Sequence, residues 1–162
     1  MLDSRYLDAL RTIYDRLRDS NVNWVITAGV NLALQGLPVE VHDIDLLTDE
    51  AGVYEIERRL VEFVTRRVRF SVDEGVRSHF GTLMIEGIEV EIMGEVQIRR
   101  EDGTWEDVPD PDSCTRLVEV EGMRIPVRSL EYECEAYRKL GRVGKAEMVR
   151  KWLNGEGESR KW

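Results

Sequence analysis

Near residue 67 the spacing of apolar residues changes from a helical period to an alternating one, and this change limits what the chain can fold into. Upstream, Leu2, Leu7, Leu10, Ile13, Tyr14 and Leu17 recur at helical spacing and predict an amphipathic helix over 3–20. Asn21 and Asn23 break it. Trp24 to Thr27 reads as a short buried strand, and residues 30–36 as a short helix stopped by Gly36 and Pro38. Ile44 to Leu47 is a second strand. Thr48 is placed to cap a third helix with Val53, Ile56, Leu60, Val61 and Val64 as its stripe.

Downstream the period is two. Val68-Phe70-Val72, Thr82 to Ile85, Ile88 to Met93 and Val96 to Ile98 read as strands, with Glu86-Gly87 and Gly94-Glu95 as tight turns. Residues 101–115 carry the polar and proline signals of a surface loop. A last hairpin joins Leu117–Val120 to Met123–Val127 around Glu121-Gly122, and two helical runs follow, from Ser129 to about Leu140 and from Arg142 to Leu153. The order predicts an α+β (α/β) protein in which helices pack on a sheet. No linker separates a second domain, so residues 1–153 are expected to form one domain and 154–162 a disordered tail.

Composition narrows the function. The 162 residues carry a net charge of −9, which argues against a protein that coats nucleic acid. No apolar run has the length of a membrane span, and the charged, amphipathic N-terminus is unlike a signal peptide. Cys114 and Cys134 have neither metal-ligand spacing nor the numbers for a disulfide framework, so the expected location is the cytoplasm.

The chemistry concentrates in WVITAGVNLALQGLPVEVHDIDLL, residues 24–47, which reads as strand, glycine turn, short helix, loop and strand. Asp43 and Asp45 open the second strand two residues apart, so their side chains project to one face. Paired carboxylates repel unless a cation lies between them, and Mg²⁺ favours one or two carboxylates together with substrate phosphates. A helix start at Gly29 offers free N–H groups to a phosphate. Other acidic pairs share the spacing: Asp110/Asp112, Glu119/Glu121 and Glu131/Glu133. Asp43 and Asp45 differ from these in opening an otherwise apolar strand directly after a glycine turn and helix. In GIEVEIMG, Glu89 and Glu91 alternate with Ile88, Val90 and Ile92. Glu91, with Glu89 as second choice, is the candidate third ligand or general base. Lys139, Arg142 and Lys145 are candidates to neutralise a triphosphate, and Arg77, Ser78 and His79 fall in a polar loop within reach of substrate. His42, next to Asp43, should point to the other sheet face. Trp24 and Trp152 are core candidates.

At Ala28-Gly29, LALQG, Asp43-Ile44-Asp45-Leu46-Leu47 and Glu91 in VEIMG, the sequence resembles the minimal nucleotidyltransferases of the polymerase-beta-like superfamily. The resemblance implies a mixed sheet with C-terminal helices. It also implies transfer of a nucleoside monophosphate from an NTP, expected to be ATP, to a hydroxyl acceptor with Mg²⁺ or Mn²⁺. Carried over residue by residue, Gly29 lines the triphosphate and Asp43, Asp45 and Glu91 hold metal. The acceptor is left open among small molecule, RNA and protein. Three departures stand out. Ala28 takes the place of the first glycine, Gly29 that of a serine, with Thr27 as candidate replacement for the lost hydroxyl. Val39-Glu40 replaces a basic residue, and Glu91 stands where Asp is usual. They motivate a second reading, a non-catalytic relative acting in a toxin–antitoxin pair with a small helical partner protein. A third, a sugar-nucleotide glycosyltransferase using Asp-x-Asp, calls for a longer domain.

Overall fold

Helix formation begins where a carboxylate meets free amide groups. Asp3 caps α1 (Ser4–Leu17), accepting the Arg5 N–H at 2.8 Å, and the helix buries Tyr6, Ala9, Leu10, Ile13 and Leu17. Each of its large aliphatic residues contributes about 2 kcal/mol by leaving water, so packing rather than propensity holds the helix in place. The computed structural model describes residues 2–109 and 111–155. The expected tail therefore lies, from residue 156 on, outside the described residues.

The strands are β1 (Val25–Thr27), β2 (Ile44–Thr48), β3 (Val64–Val72), β4 (Val76–Ile85), β5 (Ile88–Ile98), β6 (Thr115–Val120) and β7 (Met123–Arg128). They form a mixed seven-stranded sheet among the described residues, in the order β3-β4-β5-β2-β1-β7-β6. The pairs β2–β5 and β1–β7 are parallel; β1–β2 and the hairpins are antiparallel. Glu86-Gly87 and Glu121-Gly122 turn two of the hairpins with positive φ at both positions, as tight hairpin turns require. The remaining helices are α2 (Ala28–Leu34), α3 (Glu50–Arg59), the single turn α4 (Pro111–Cys114), α5 (Leu130–Lys139) and α6 (Val143–Leu153).

Alternation along the central strands divides the sheet into two unlike faces. Ile26, Ile44, Leu46, Val90, Ile92 and Val127 join the core that includes the buried residues of α1 and α3, and Trp24 belongs to it as expected. Thr27, Asp45, Leu47 and Glu91, one residue out of phase, face the other way. A second cluster of Leu32, Leu37, Leu130, Tyr137, Ala146 and Val149 ties α2 to α5 and α6, with Trp152 packed against it.

Five local expectations are corrected. The cap of α3 is Asp49, which accepts the Gly52 N–H at 2.6 Å, not Thr48. That helix ends at Arg59; Val61 falls in a 3₁₀ turn and Val64 opens β3. Arg77, Ser78 and His79 lie inside β4 rather than in a loop, with Ser78 buried and His79 Nδ1 3.0 Å from the Tyr54 hydroxyl. Gly94-Glu95 does not turn the chain. β5 continues through it, and the register against β4 shifts there while Glu95 takes φ +56°. A side chain at Gly94 would stand 2.7 Å from the Asp49 carbonyl oxygen and from Val53, so glycine is required by the close approach of α3. The loop at 101–115 likewise ends earlier than its composition suggests, in α4 and in Thr115 of β6.

Candidate active site

Strand register assembles the acidic residues. β2 and β5 pair in parallel with Asp45 opposite Glu91, and β1 sets Thr27 opposite Asp45 on the other side. Asp43, two residues before Asp45, is on the same face. Asp43, Asp45 and Glu91 are half-buried, and each offers a carboxylate oxygen within 4.8 Å of the others'. Glu89, the second choice, is exposed and outside this group. Burial, then the charges of Glu91 and Asp43, push the Asp45 carboxyl up to about 7. Burial and the charge of Asp43 raise Glu91 as well. Three carboxylates gathered in this way could hold a metal ion, and their all-oxygen donors suit a hard divalent cation such as Mg²⁺ or Mn²⁺.

The turn beside the triad is held from below by a residue that sequence reasoning missed. Ala28 takes φ +60°, a left-handed conformation that disfavours side chains. Its N–H donates to Glu133 Oε2 at 3.0 Å. Glu133, on α5 and 2% exposed, also accepts from the Thr27 hydroxyl at 2.7 and 2.9 Å, from Asn31 Nδ2 at 2.6 Å and from Arg128 Nη1 at 3.3 Å. The Thr27 hydroxyl is thus committed to Glu133 and does not stand free to replace a missing serine. One signal was available in the sequence: Glu133 interrupts the apolar helical stripe of Leu130, Ala136 and Tyr137, and a charge on a buried stripe needs a partner. At Gly29 a side chain would meet nothing closer than 3.7 Å, so packing does not demand glycine there.

The other candidates lie elsewhere or are engaged. Lys139 pairs with Glu106 at 3.2 Å, and the Lys145 ammonium sits 5.6 Å over the Tyr137 ring. Arg77 stacks 4.6 Å over Trp105 and donates to Gln97 at 2.9 Å. Arg142 and His42 are exposed. The Tyr137 hydroxyl is buried with no hydrogen-bond partner among the described residues, and burial, together with the negative charges of Glu133 and Asp45, pushes it up to about 12.

Comparison with known proteins places this geometry. The family model for aminoglycoside-2''-adenylyltransferase matches residues 9–151. A "putative nucleotidyltransferase" from Thermotoga maritima is 61% identical, with a TM-score of 0.85 over 95% of this chain and 96% of that one. The antibiotic-resistance factor ANT(2'')-Ia, solved with adenylyl-2''-tobramycin, has 16% identity and a TM-score of 0.61 over 96% of this chain and 91% of its own. The lincosamide antibiotic adenylyltransferase LnuA, bound to lincomycin, has 17% identity and a TM-score of 0.55 over 78% and 82%. These last two share the fold. No curated protein matches the chain. With its family model matched over most of its length, the chain belongs to the aminoglycoside-2''-adenylyltransferase family of the nucleotidyltransferase superfamily.

Proposed function

We propose that the protein transfers a nucleoside monophosphate from an NTP to a hydroxyl acceptor, with Mg²⁺ or Mn²⁺ held by Asp43, Asp45 and Glu91. The observation that carries the reading is the convergence of these carboxylates within 4.8 Å, on two strands in parallel register and beside the Ala28-Gly29 turn. The adenylyltransferase names of the family model and of one solved structure, and the adenylyl-2''-tobramycin held by another, support ATP as the nucleotide.

The chain's own groups divide the work. At Gly29, where a side chain would make only ordinary contacts with Val41 and Glu40 at 3.7 and 3.8 Å, the triphosphate approaches the backbone, and Glu133 fixes the turn that presents it. Arg128, 3.4 Å from the Thr27 hydroxyl, supplies positive charge on this face. Lys139 would have to leave Glu106 before meeting a phosphate. The raised carboxyl of Asp45 would release its proton to a cation, and Glu91, opposite Asp45 in the sheet, is the proposed base for the acceptor's hydroxyl proton. The divalent ion, when bound, polarises the phosphoryl oxygens and offsets charge on the entering and leaving groups. The family match favours an enzyme, and nothing in the comparisons supports a toxin–antitoxin role. Among the described residues no helix is long and apolar enough to cross a membrane. The cytoplasm, where NTP is supplied, is the proposed setting of the reaction.

Incubation with α-labelled ATP, Mg²⁺ and panels of small hydroxyl compounds, RNA and protein tests the proposal. Labelled adduct with stoichiometric pyrophosphate, lost in Asp43→Asn, is expected. ATP left intact across all panels, with either metal, contradicts it.

A further inference from the structure

On the triad's side of the sheet lies a cavity of about 590 Å³, within the range of small-molecule sites. Leu47, Val25 and Pro126 form its floor. Leu47 pairs with Val25, one same-face step along from the Asp45–Thr27 pair, and Pro126 stands two residues before Arg128 on the neighbouring strand. Floor and triad are therefore about 7 Å apart on one surface. The Ala28-Gly29 turn follows Thr27 in β1, on the far side of the triad from Val25. A phosphorus held at the triad would have the phosphate turn on one side and the cavity on the other.

We infer that this cavity is the acceptor subsite and that it takes a neutral hydroxyl compound with an apolar ring body. The inference rests on the transferase reading above and adds the class of acceptor. In-line displacement needs the entering oxygen opposite the leaving one, and the cavity is on the side opposite the turn. The acceptor oxygen bonds to the α-phosphorus as the bond to the bridging oxygen breaks. Pyrophosphate leaves with that electron pair, and the hydroxyl proton passes to Glu91.

The lining sets the chemistry. Beyond the floor, the walls include Val96, Val108 and Pro109, so the body of the ligand is desolvated against hydrocarbon. Two acids lie at the rim, and both have backbone partners: Asp49 accepts the Gly52 N–H and Glu95 the Glu50 N–H at 3.3 Å. Arg128 belongs to the same lining, with its charge paired to Glu133 at 3.3 Å. A polycation buried here would find no carboxylate on the floor, whereas a neutral ring loses little by leaving water.

The test uses 2-naphthylmethanol, a neutral alcohol with an apolar double ring, titrated into the full chain with and without Mg²⁺ and a non-hydrolysable ATP analogue. Both ligands are expected to bind together, each affinity changing less than about threefold in the presence of the other. Leu47→Trp from the floor and Val108→Trp from the wall, two independent fillings of the cavity, should weaken the alcohol about tenfold or more and leave the analogue unaffected. Competition between analogue and alcohol would give the cavity to the nucleoside and overturn the inference. So would alcohol binding unchanged in both variants, or absent from the wild type while the analogue binds. Failure of the analogue to bind, with the alcohol still bound, would instead overturn the transferase reading, and the acceptor role with it.

Discussion

Asp45 and Glu91 stand opposite each other in the parallel β2–β5 pair, with oxygens within 4.8 Å and Asp43 completing the group. Neither carboxylate has a cationic partner at ion-pair distance among the described residues, so the metal-free protein holds its negative charges together against their repulsion.

Asp45→Asn should relieve that repulsion. At pH 8 the metal-free variant is expected to be more stable than wild type by about 1–2 kcal/mol, while its stabilisation by Mn²⁺ disappears. Thermal melts with and without Mn²⁺ check both effects. A variant that is less stable than wild type and still stabilised by the ion contradicts the assignment.

The raised Asp45 carboxyl also fixes a pH dependence. Its native value, about 7, lies above the ordinary 3.8, so the native state holds a proton that the unfolded chain releases. The linked stability is present below about pH 4 and is lost as pH rises through 7. Metal binding displaces this proton, so Mn²⁺ affinity should rise by up to about tenfold between pH 6 and 7 and level off above it. Isothermal titrations at pH 6, 7 and 8 measure the slope; a flat profile contradicts it.

Glu133 satisfies four groups at once: the Thr27 hydroxyl, the Ala28 N–H, the Asn31 amide and Arg128. Truncation to Ala leaves them buried without their acceptor, a loss of about 3–5 kcal/mol. Glu133→Gln keeps one oxygen and should recover part of this, yet weaken nucleotide more than Mn²⁺ because the turn, not the triad, is disturbed. Urea denaturation and separate titrations of the two ligands distinguish the effects.

Ala28 holds a left-handed backbone that glycine adopts without penalty. Ala28→Gly is expected to stabilise the fold by about 1 kcal/mol, less the added freedom of the unfolded chain. A lower midpoint in chemical denaturation would show that the methyl group contributes packing that outweighs the strain.

The acidic strand was legible because spacing of two is a direct statement about a strand face, but other acidic pairs share that spacing, and only the apolar strand and the glycine turn and helix before it set Asp43 and Asp45 apart. Glu91 was reachable for the same reason, once Ile88, Val90 and Ile92 were assigned to the core. The Gly94-Glu95 pair misled because a glycine needed for close approach has the same letter as one needed for a turn; only the neighbouring Val53 tells them apart. Arg77 to His79 looked like loop because polar residues in a strand read as solvent-exposed, whereas here β3 and β5 flank them. Glu133 is more than 100 residues from Thr27: its break in the apolar stripe signals that a partner is needed, but which distant segment supplies it no local pattern encodes. The cavity is likewise assembled from distant segments, with Val25, Leu47 and Pro126 on three strands.

Calorimetric titration of Mg²⁺ with a non-hydrolysable ATP analogue into the wild type and into Asp43→Ala/Asp45→Ala tests the central claim most directly. The account predicts saturable, metal-dependent nucleotide binding in the wild type and its loss in a double variant that remains folded by circular dichroism. Nucleotide heat that is absent from the wild type, or that survives unchanged without the two aspartates, would contradict it.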